Sequence, residues 1–515
     1  MTNLLKKDHT PVKKLLLLTL IHFTSLVAFS QTHPFGAKFP AIDKYIDSTL
    51  KEWNVPGLAM SVVYKDKVIY TKGYGYRDYE KKLPVEAHTV FPIASNTKLF
   101  TATVAAILHH EGKLSLDKPV KNYLPALNFS TDELNAKVTI RDMLSHRTGL
   151  PRYDAIWVNA AFTRKEMIEK ISYMKPQLGF REGYIYNNMM FVASGSAMEE
   201  VTGKTWETLV SEKIFQPLQM NTSYFTNDGM KKQGNYALAY FRPDSSEKLL
   251  PKKFEAQCEA LGPAGTIKTT AADMANWMIA QLNDGKFNGQ QAIPSKAISE
   301  TMIPNSIADK TGKYDELSNA LYCLGRTIYT YKGHKAASHS GAIDGFYSFV
   351  ALFPKDSLGI FVVVNANHGR PLSNFVPLDV FDRLMNMPKT PWSQRYMKDY
   401  KEVQAQEKKS ADSLKATQVK NTAPSHAIND YTGTYSHSTY GDIKIERVND
   451  QLFFVFRSQR SLLHHFHYDQ FHTDEKGTDT PDYRLEFRIN SKGEIDRIST
   501  RPLGDPLTEF IKKKE

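Results

Sequence analysis

The chain has 515 residues, enough for one large domain and a smaller one, because single hydrophobic cores stop growing at about 250 to 300 residues. A hydrophobic share of 41% and an aromatic share of 11% are those of an ordinary globular protein and exclude a disordered chain. The formal charge of +11 comes from basic residues scattered among acidic ones, without an Arg-rich helix or a zinc-finger spacing. We therefore expect no nucleic-acid partner.

The first 30 residues have the pattern of a secretory signal peptide. Four lysines among residues 6–14 form a basic start, residues 15–29 are apolar, and Ala28-Phe29-Ser30 resembles a small-residue cleavage site. The apolar run is shorter than the roughly 18 to 20 residues of a membrane span, and His22 interrupts it. We expect cleavage near Ser30, no permanent membrane span, and a periplasmic or secreted mature protein of formal charge +8.

The predicted elements begin with an amphipathic helix over 41–53 and a hairpin of strands 57–64 and 68–76. Helices follow over 97–111, 139–145, 164–174, 189–201, 206–214 and 271–282. Strands return at 324–331, 347–353 and 359–365, before a closing helix at 376–387. Strands at both ends with helices between them predict an α+β domain, in which one antiparallel sheet is assembled from both ends and the middle forms a helical lobe.

Composition divides the chain into four parts. After the signal peptide, 1–30, we predict a catalytic domain at 31–390 and a linker at 391–424, which is rich in Lys, Glu, Gln and Ala as a solvated helix would be. Residues 425–515 contain short β-rich runs between turn residues and predict a small antiparallel, barrel-like domain.

The sequence also contains a cluster of histidines and two cysteines, residue types that bind metals or form disulfides in other proteins. His464, His465, His467 and His472 lack acidic or cysteine partners at a recognised spacing, so we expect no metal site. The two cysteines, Cys258 and Cys323, are compatible with one disulfide in an exported protein or with two buried thiols.

A Ser-x-x-Lys pair carries the first candidate for chemistry. A serine hydroxyl needs a nearby base, and a lysine three residues later on a helix lies on the same face. The sequence contains five such pairs, so the spacing alone is weak. Ser95 and Lys98 differ from the others because an apolar segment precedes them and a strongly apolar helix follows, which predicts a buried helix start and a lysine of lowered pKa.

Two later segments complete the candidate site. Tyr186-Asn187-Asn188, the one Tyr-x-Asn of the sequence, precedes a predicted helix, and there Tyr186 can relay a proton if nearby cations lower its pKa. The third segment needs a cation, a small hydroxyl residue and a glycine on a strand. His339-Ser340-Gly341 lies between strand runs, whereas Lys310-Thr311-Gly312 lies in a polar loop, so we favour His339.

These three segments, in this order, resemble the serine β-lactamase and penicillin-binding-protein superfamily, and most closely its class C-like exported hydrolases. The resemblance covers about residues 40–387 and includes the runs 55–57, 73–75, 91–98, 114–117, 144–151, 263–265 and 339–346. It implies a β-lactamase/transpeptidase-like fold. The segment 431–435 is similar to the opening strand of a β-barrel that some members append, and such a domain shapes the cleft or mediates self-association.

The resemblance implies that Ser95 attacks an acyl carbonyl, that Lys98 and Tyr186 share the proton transfers, and that water releases the acyl-enzyme without a metal or organic cofactor. The backbone N–H groups of Ser95 and Ala342 would hold the oxyanion. Asn188 and the strand edge with Ser340 and Gly341 would orient a small-molecule or peptide substrate.

His339 stands where many penicillin-processing members have lysine, which puts β-lactamase activity in doubt. A largely neutral imidazole grips a carboxylate less firmly, and we expect turnover to follow His339 ionisation near pH 6 to 7. The leading hypothesis is a hydrolase of peptides, some with D-residues, or of amides or esters. A D-alanyl-D-alanine carboxypeptidase or β-lactamase is the nearest alternative, and a non-catalytic binding or sensor module is the alternative from another class.

Overall fold

The computed structural model describes residues 34–243, 248–252, 259–309, 312–473 and 482–514. Its α-helices are α1 Phe39–Glu52, α2 Thr97–His110, α3 Asp132–Lys137, α4 Ile140–Leu144, α5 Arg164–Lys170, α6 Asn188–Thr202, α7 Trp206–Val210, α8 Asn227–Lys232, α9 Gly262–Gly265, α10 Ala271–Leu282, α11 Ser295–Glu300, α12 Arg370–Met385 and α13 Trp392–Ala416. The proposed signal peptide, residues 1–30, lies outside the described residues.

The strands are β1 Gly57–Tyr64, β2 Lys67–Asp78, β3 Leu83–Pro84, β4 Phe91–Pro92, β5 Ala239–Phe241, β6 Leu250–Lys252, β7 Lys268–Thr269, β8 Lys286–Phe287, β9 Gln290–Gln291, β10 Ser306–Asp309, β11 Ala320–Tyr322, β12 Thr327–Tyr331, β13 His334–Ile343, β14 Phe346–Phe353, β15 Leu358–Val364, β16 Gly433–His437, β17 Gly441–Val448, β18 Gln451–Phe456, β19 Gln459–His467, β20 Gln470–Thr473, β21 Arg484–Ile489, β22 Ile495–Thr500 and β23 Thr508–Lys512.

One large sheet organises the first domain. Within the described ranges it has nine strands in the order β10-β11-β12-β13-β14-β15-β1-β2-β3, and every neighbouring pair is antiparallel. The strands β1 and β15, which lie about 300 residues apart in the chain, are neighbours, with Ala59 opposite Val363. The predicted α+β domain with a sheet assembled from both ends is therefore confirmed.

Both faces of this sheet are covered by helices, which explains why β1 and β15 are apolar along their whole length. Alternate residues of β1 point to opposite faces. Ala59 and Val63 belong to the core that contains α10, whereas Met60 and Val62 belong to the core that contains α1 and α12.

A helical lobe occupies the middle of the chain and is built around α2. Every residue of this helix from Thr97 to Leu108 is buried, because its sequence is apolar or small on all sides except at Lys98. Helices α6 and α9 pack against it. The N-terminus of α2 therefore lies in the interior, at the boundary between the lobe and β13.

The C-terminal strands form a second unit. In the part of the chain that the structure describes, β16 to β23 make a closed antiparallel barrel of eight strands. Its interior is filled by large buried side chains, among them Tyr435, Phe454, Phe487 and Phe510. These alternate along the strands with polar side chains that face outward. The predicted small β domain is thus confirmed, and closure leaves no free sheet edge.

Helix α13 connects the two units, and its two halves have different environments. Residues 401–416 are exposed, as expected of a solvated linker. The first turn instead packs on the catalytic domain, where the buried Trp392 donates its indole N–H to the Tyr331 hydroxyl at 3.0 Å. Among the described residues, no helix is both long and apolar enough to cross a membrane.

Candidate active site

Ser95 lies in a tight turn between β4 and α2. Residues Ala94–Asn96 form a 3₁₀ turn, and Ala94 has a positive φ of 49°, a strained value for a residue with a Cβ. The turn is fixed by the backbone hydrogen bond from Ile93 N–H to the Ile267 carbonyl, 3.0 Å. Ser95 remains partly exposed, whereas its neighbours on both sides are buried, so its hydroxyl is presented to the cleft.

Lys98 is fully buried one turn later, and its ammonium nitrogen has three oxygen neighbours. Nζ lies 3.1 Å from Ser95 Oγ, 2.7 Å from Asn188 Oδ1 and 2.7 Å from the Ala264 carbonyl. Burial lowers the pKa of Lys98 well below its usual value, and the positive charge of Arg152 adds to the effect. The residue is thus held against the serine in surroundings that favour its neutral form.

Tyr186 and Asn188 lie at the start of α6, where Asn187 caps the helix by accepting the N–H of Met190. Lys98 Nζ is 4.9 Å from the centre of the Tyr186 ring. Burial raises the pKa of Tyr186, although the contact with Ser95 and the charge of Arg152 act the other way. The condition stated from the sequence, that nearby cations lower this pKa, is not met, because desolvation outweighs them, and Tyr186 keeps its phenol proton.

Asn188 bridges the lysine to a carboxylate. Its Oδ1 accepts from Lys98, and its Nδ2 donates to Asp154 Oδ1 at 3.1 Å. The same carboxylate accepts from the Trp157 indole N–H at 2.9 Å and from Arg152 Nε at 2.6 Å. Asp154 thus fixes the amide orientation of Asn188 and holds Arg152 at the cleft.

The strand β13 passes directly beside the serine. Gly341 allows this approach, because a Cβ at this position would lie 2.1 Å from the Ile93 carbonyl oxygen. The hydroxyl of Ser348 on β14 donates to the same carbonyl at 2.8 Å and accepts from Asn96 Nδ2 at 2.7 Å. These bonds tie the sheet to the turn that carries Ser95.

The end of β13 has an open edge toward the cleft. In the described pairing registers, β12 follows β13 only as far as Ser338, whereas β14 accompanies it to Ile343. Ser340 and Ala342 are exposed on this segment and line the cleft with His339. In the described registers this segment therefore has no partner strand on the side away from β14, and its backbone lies beside Ser95.

His339 is a neutral imidazole held by two hydrogen bonds. Its Nδ1 donates to the Ser340 carbonyl at 2.6 Å, which leaves Nε2 to accept the Tyr322 hydroxyl at 3.0 Å. Burial lowers the pKa of His339 to about 3. The expected ionisation near pH 6 to 7 was wrong, because the histidine is an internal hydrogen-bonding residue of the strand.

The structure bears on three alternatives from the sequence: the second candidate triplet, the possible disulfide and the possible metal site. Lys310 and Thr311 of the rejected triplet lie outside the described residues, and Gly312 lies at the rim of the same cleft. Cys258 also lies outside them, and Cys323 is a buried free thiol whose pKa is raised by burial to about 12. Over the described ranges, no group of three or more His, Cys, Asp or Glu could hold a metal ion.

The cleft in front of Ser95 is large and aromatic. Its volume is about 1040 Å³, and it extends from Ser95 to helix α13. Its aromatic lining comes from β11, β12, β14, α13 and nearby loops: Trp157, Tyr184, Tyr186, Tyr314, Tyr322, Tyr329, Phe349, Tyr396 and Tyr400. A cleft of this size exceeds most small-molecule sites and has room for an extended ligand.

Sequence reasoning missed Arg152, Asp154 and Trp157. They follow a run that the resemblance covers, 144–151, but their part in the site depends on contacts with α6 that are far away in sequence. An Arg-x-Asp directly after that run was the only available signal, and by itself it is too common to assign.

Comparison with known proteins finds matches to both domains. A family model described as beta-lactamase matches residues 42–377, and a model for a domain of unknown function, DUF3471, matches 417–512. The chain is 25% identical over 438 residues to the unguisins hydrolase ungD of Aspergillus violaceofuscus, covering 78% of this chain and 76% of that protein. It is 28% identical over 342 residues to protein flp of Staphylococcus aureus, covering 65% of this chain and 64% of that protein.

Solved structures share the fold. The octameric penicillin-binding protein homologue from Pyrococcus abyssi is 20% identical and superimposes with a TM-score of 0.60 over 92% of this chain and all of that one. SurE is 18% identical, with a TM-score of 0.57 over 93% of this chain. With the family model spanning most of the first domain, the chain belongs to the beta-lactamase family, within the superfamily of serine β-lactamases and penicillin-binding proteins.

Proposed function

We propose that this protein is a serine hydrolase that forms an acyl-enzyme on Ser95 and acts on peptide, amide or ester substrates. The family is one of hydrolases, and the observation that carries the proposal is the position of Lys98 Nζ, 3.1 Å from Ser95 Oγ in a site that lowers the lysine pKa. A binding module would have no need of a lysine kept neutral at the cost of burying it.

The hydrogen bonds around Lys98 support its role as the base. A neutral amine has two N–H donors and one lone pair. The two 2.7 Å contacts, to Asn188 Oδ1 and the Ala264 carbonyl, use both donors. In the structure Lys98 Nζ donates to Ser95 Oγ at 3.1 Å. We infer that in the reacting state the lone pair of the neutral amine faces this hydroxyl, which then donates to it and loses its proton as Oγ attacks.

The proposed reaction has two halves. In the first, the bond from Ser95 Oγ to the acyl carbon forms, the hydroxyl proton passes to Lys98, and the carbonyl electrons move to the oxygen held by the N–H groups of Ser95 and Ala342. The bond to the leaving group then breaks, and Tyr186, a neutral phenol, relays the proton from the lysine to the leaving nitrogen or oxygen. In the second half, water attacks the acyl carbon and gives up a proton to the Lys98 and Tyr186 pair. The bond from the acyl carbon to Ser95 Oγ then breaks, the proton passes to Oγ, and the carboxylic acid leaves.

The substrate is proposed to bind along the open edge of β13. Backbone groups of residues 340–342 would pair with an extended peptide or amide, as an added strand does. His339 is neutral, so this edge offers hydrogen bonds and no positive charge at the third motif. The volume and aromatic lining of the cleft favour a substrate with apolar or aromatic groups over a compact, carboxylate-bearing penicillin.

Export and assembly complete the proposal. We infer cleavage near Ser30 and a periplasmic or secreted protein from the pattern of residues 1–30. Self-association through the C-terminal barrel also remains a proposal, which the octameric state of the Pyrococcus abyssi homologue encourages.

The test is covalent labelling at the serine. The protein is incubated with a fluorescent penicillin, p-nitrophenyl esters and D-aminoacyl p-nitroanilides, and adducts are located by peptide mass spectrometry. We expect an adduct on Ser95, hydrolysis of an ester or anilide probe, and loss of both in Ser95→Ala and in Lys98→Arg, since a guanidinium cannot accept the proton.

Ser48→Ala is the matched control, because Ser48 and Lys51 have the same spacing on α1, where Ser48 is exposed. It should react as the wild type does. If no probe labels or is hydrolysed by the wild type, or if Ser95→Ala reacts equally well, the catalytic proposal fails.

A further inference from the structure

A short segment of the catalytic domain, 153–158, contacts both Asn188 and the C-terminal barrel. Its centre is the 3₁₀ turn Asp154–Ile156. The barrel residue Asp505 accepts the backbone N–H of Asp154 at 3.2 Å and that of Ala155 at 3.0 Å. Asp505 is buried, so these bonds are made away from solvent. The barrel thus supplies the acceptors that the first N–H groups of the turn require.

The other end of the turn is also held by the barrel. The guanidinium of Arg457 donates to the Val158 carbonyl and, at 3.2 Å, to the Ile156 carbonyl. Between the two ends, the rings of Tyr153 and Tyr440 stack with centroids 6.1 Å apart. A carboxylate at the N-terminal end and a cation at the C-terminal end match the polarity of the turn's backbone.

A turn of three residues has little stability of its own, because one hydrogen bond does not offset the loss of backbone entropy. The N-cap Tyr153 has φ 49° and makes no capping side-chain hydrogen bond. The conformation of 153–158 therefore depends on contacts from outside the segment, and the barrel provides them at both ends.

From this turn a continuous chain of hydrogen bonds reaches the base. Asp154 accepts from Asn188 Nδ2 at 3.1 Å, and Asn188 Oδ1 accepts from Lys98 Nζ at 2.7 Å. Asp154 also holds Arg152, the cation whose charge helps to lower the pKa of Lys98. A shift of the turn would therefore move both the amide that orients Lys98 and a charge that tunes it.

We propose that Asp505 of the C-terminal barrel is a positioning residue of the active site, which acts through the Asp154–Ile156 turn, Asp154 and Asn188 on Lys98. The barrel is then part of the catalytic apparatus and more than an appended domain. This inference rests on the proposed function of Ser95 and Lys98, and it assigns the C-terminal domain a role in acylation.

The experiment compares Asp505→Ala and Asp505→Glu with the wild type in the full chain. Hydrogen exchange measured by mass spectrometry should become faster in 153–158 and also in 186–190 for Asp505→Ala. Hydrolysis of a p-nitrophenyl ester should lose about tenfold in kcat with little change in KM, since a hydrogen bond to a charged acceptor is removed and the substrate-binding groups stay. Asp505→Glu, which keeps the carboxylate, should recover part of the rate.

Asp442→Ala is the matched control, because Asp442 lies in the same barrel and its exposed carboxylate pairs with Lys513 and Ser436, which belong to the barrel itself. It should leave exchange at 153–158 and kcat unchanged. Arg457→Ala provides a second variant, acting on the opposite end of the turn, in case Asp505→Ala does not fold. The same two effects are expected from it.

Two results for Asp505→Ala would overturn the positioning role. One is an unchanged rate of hydrogen exchange at 186–190, and the other is an unchanged kcat despite faster hydrogen exchange at 153–158. Asp505 would then be only a contact between the domains. If the wild type reacts with no probe, the proposed function fails separately. The exchange at 186–190 then still decides whether the barrel positions the segment of Asn188.

Discussion

At Lys98, the cost of burying a charged amine lowers the pKa of the residue and so favours a form that can accept a proton. A lysine without solvent favours its neutral form, and its two strongest hydrogen bonds, to Asn188 and the Ala264 carbonyl, are ones that a neutral amine can make. In the folded protein the lysine therefore holds its proton less tightly than in the unfolded chain. Activity that depends on its neutral form is expected to fall as the pH drops through the lowered pKa.

His339 yields a prediction about pH dependence. Its pKa of about 3 means that the ring stays neutral from pH 5 to 9. In NMR spectra of selectively labelled histidine, the resonance that disappears in His339→Gln should not titrate above pH 5. The same substitution should leave the shape of the kcat/KM profile between pH 5.5 and 8 unchanged. A transition near pH 6.5 that His339→Gln removes would show that the imidazole is protonated in the working enzyme.

The residues that sequence could identify are those whose signal is local. Ser95 and Lys98 share one helix start, and Tyr186 and Asn188 share another, so the spacing and the apolar context were enough to select them. The pKa directions of Tyr186 and His339 could not be predicted, because they depend on how much protein surrounds each ring. Asp154 and Asp505 were out of reach, since they act on Asn188 across 34 residues and on Asp154 across 351.

At the scale of elements, the boundaries of the predicted helices and strands agree with the structure wherever the periodicity was strong. Strand 57–64 and helix 271–282 are identical to β1 and α10. The closing helix was predicted from 376 and begins at Arg370, because Pro371 is accepted in a first turn and Pro377 does not end the helix. Segment 206–214 was predicted as one helix and changes to a π-helix at Ser211.

The contact between β13 and the serine turn gives a prediction about Gly341. Alanine there would place its Cβ 2.1 Å from the Ile93 carbonyl oxygen and 2.5 Å from Ser348 Oγ, and the first of these is backbone that cannot rotate away. We expect Gly341→Ala to slow labelling of Ser95 at least tenfold and to destabilise the fold by about 1 to 3 kcal/mol. Labelling rates and urea midpoints measure both effects.

Gly229→Ala is a suitable control for this substitution. Its nearest contacts would be at 3.2 Å, to side-chain atoms of Thr226 and Tyr224, and it lies on α8, away from the cleft lining. It should retain the wild-type labelling rate. If Gly341→Ala also labels normally, β13 does not need its close approach to the serine.

At the scale of the whole molecule, the interface between the two domains contains a carboxyl group, that of Asp505, whose pKa is raised. Burial raises the pKa of Asp505 to about 6, and the charge of Asp154 adds to this, although the N–H of Ala155 and the hydroxyl of Tyr440 oppose it. Arg457, the nearby cation of the barrel, bonds to carbonyls of the same interface. The folded state therefore binds a proton that the unfolded chain has lost above pH 4.

The sign of the resulting stability change follows from linkage. Between pH 4 and 6 the native state holds more protons than the unfolded state at Asp505, so stability falls as the pH rises. Relative to Asp505→Asn, the free energy of unfolding of the wild type should decrease by roughly 2 to 3 kcal/mol from pH 4 to 6.5. Urea unfolding at a series of pH values measures the difference.

Asp442 supplies a control of opposite sign. Partial burial acts to raise its pKa, but the hydrogen bonds from Lys513 and Ser436 lower it overall. The wild type should gain stability relative to Asp442→Asn as the pH rises through the acidic range. Equal slopes for the two variants would contradict the raised pKa of Asp505.

The architecture was predictable because the order of helices and strands and the short β-rich runs of the barrel are local sequence patterns. The docking of the barrel on residues 153–158 could not be predicted. The groups that make this interface are single side chains, such as Tyr440, Arg457 and Asp505, in loops or strands without a distinguishing pattern. Their role appears only when two distant surfaces meet.

The pairing of β1 with β15 has a consequence for how the protein is made. During synthesis, β1 emerges about 300 residues before its partner β15. Until β15 is made, the edge of β1 that pairs with it has no partner strand, and its buried side chains are not yet covered. The helical lobe between them can collapse earlier, through contacts nearer in sequence. Nascent chains that end before Leu358 should thus be prone to aggregation and to chaperone binding, and folding of the sheet should be completed only after residue 364 has left the ribosome.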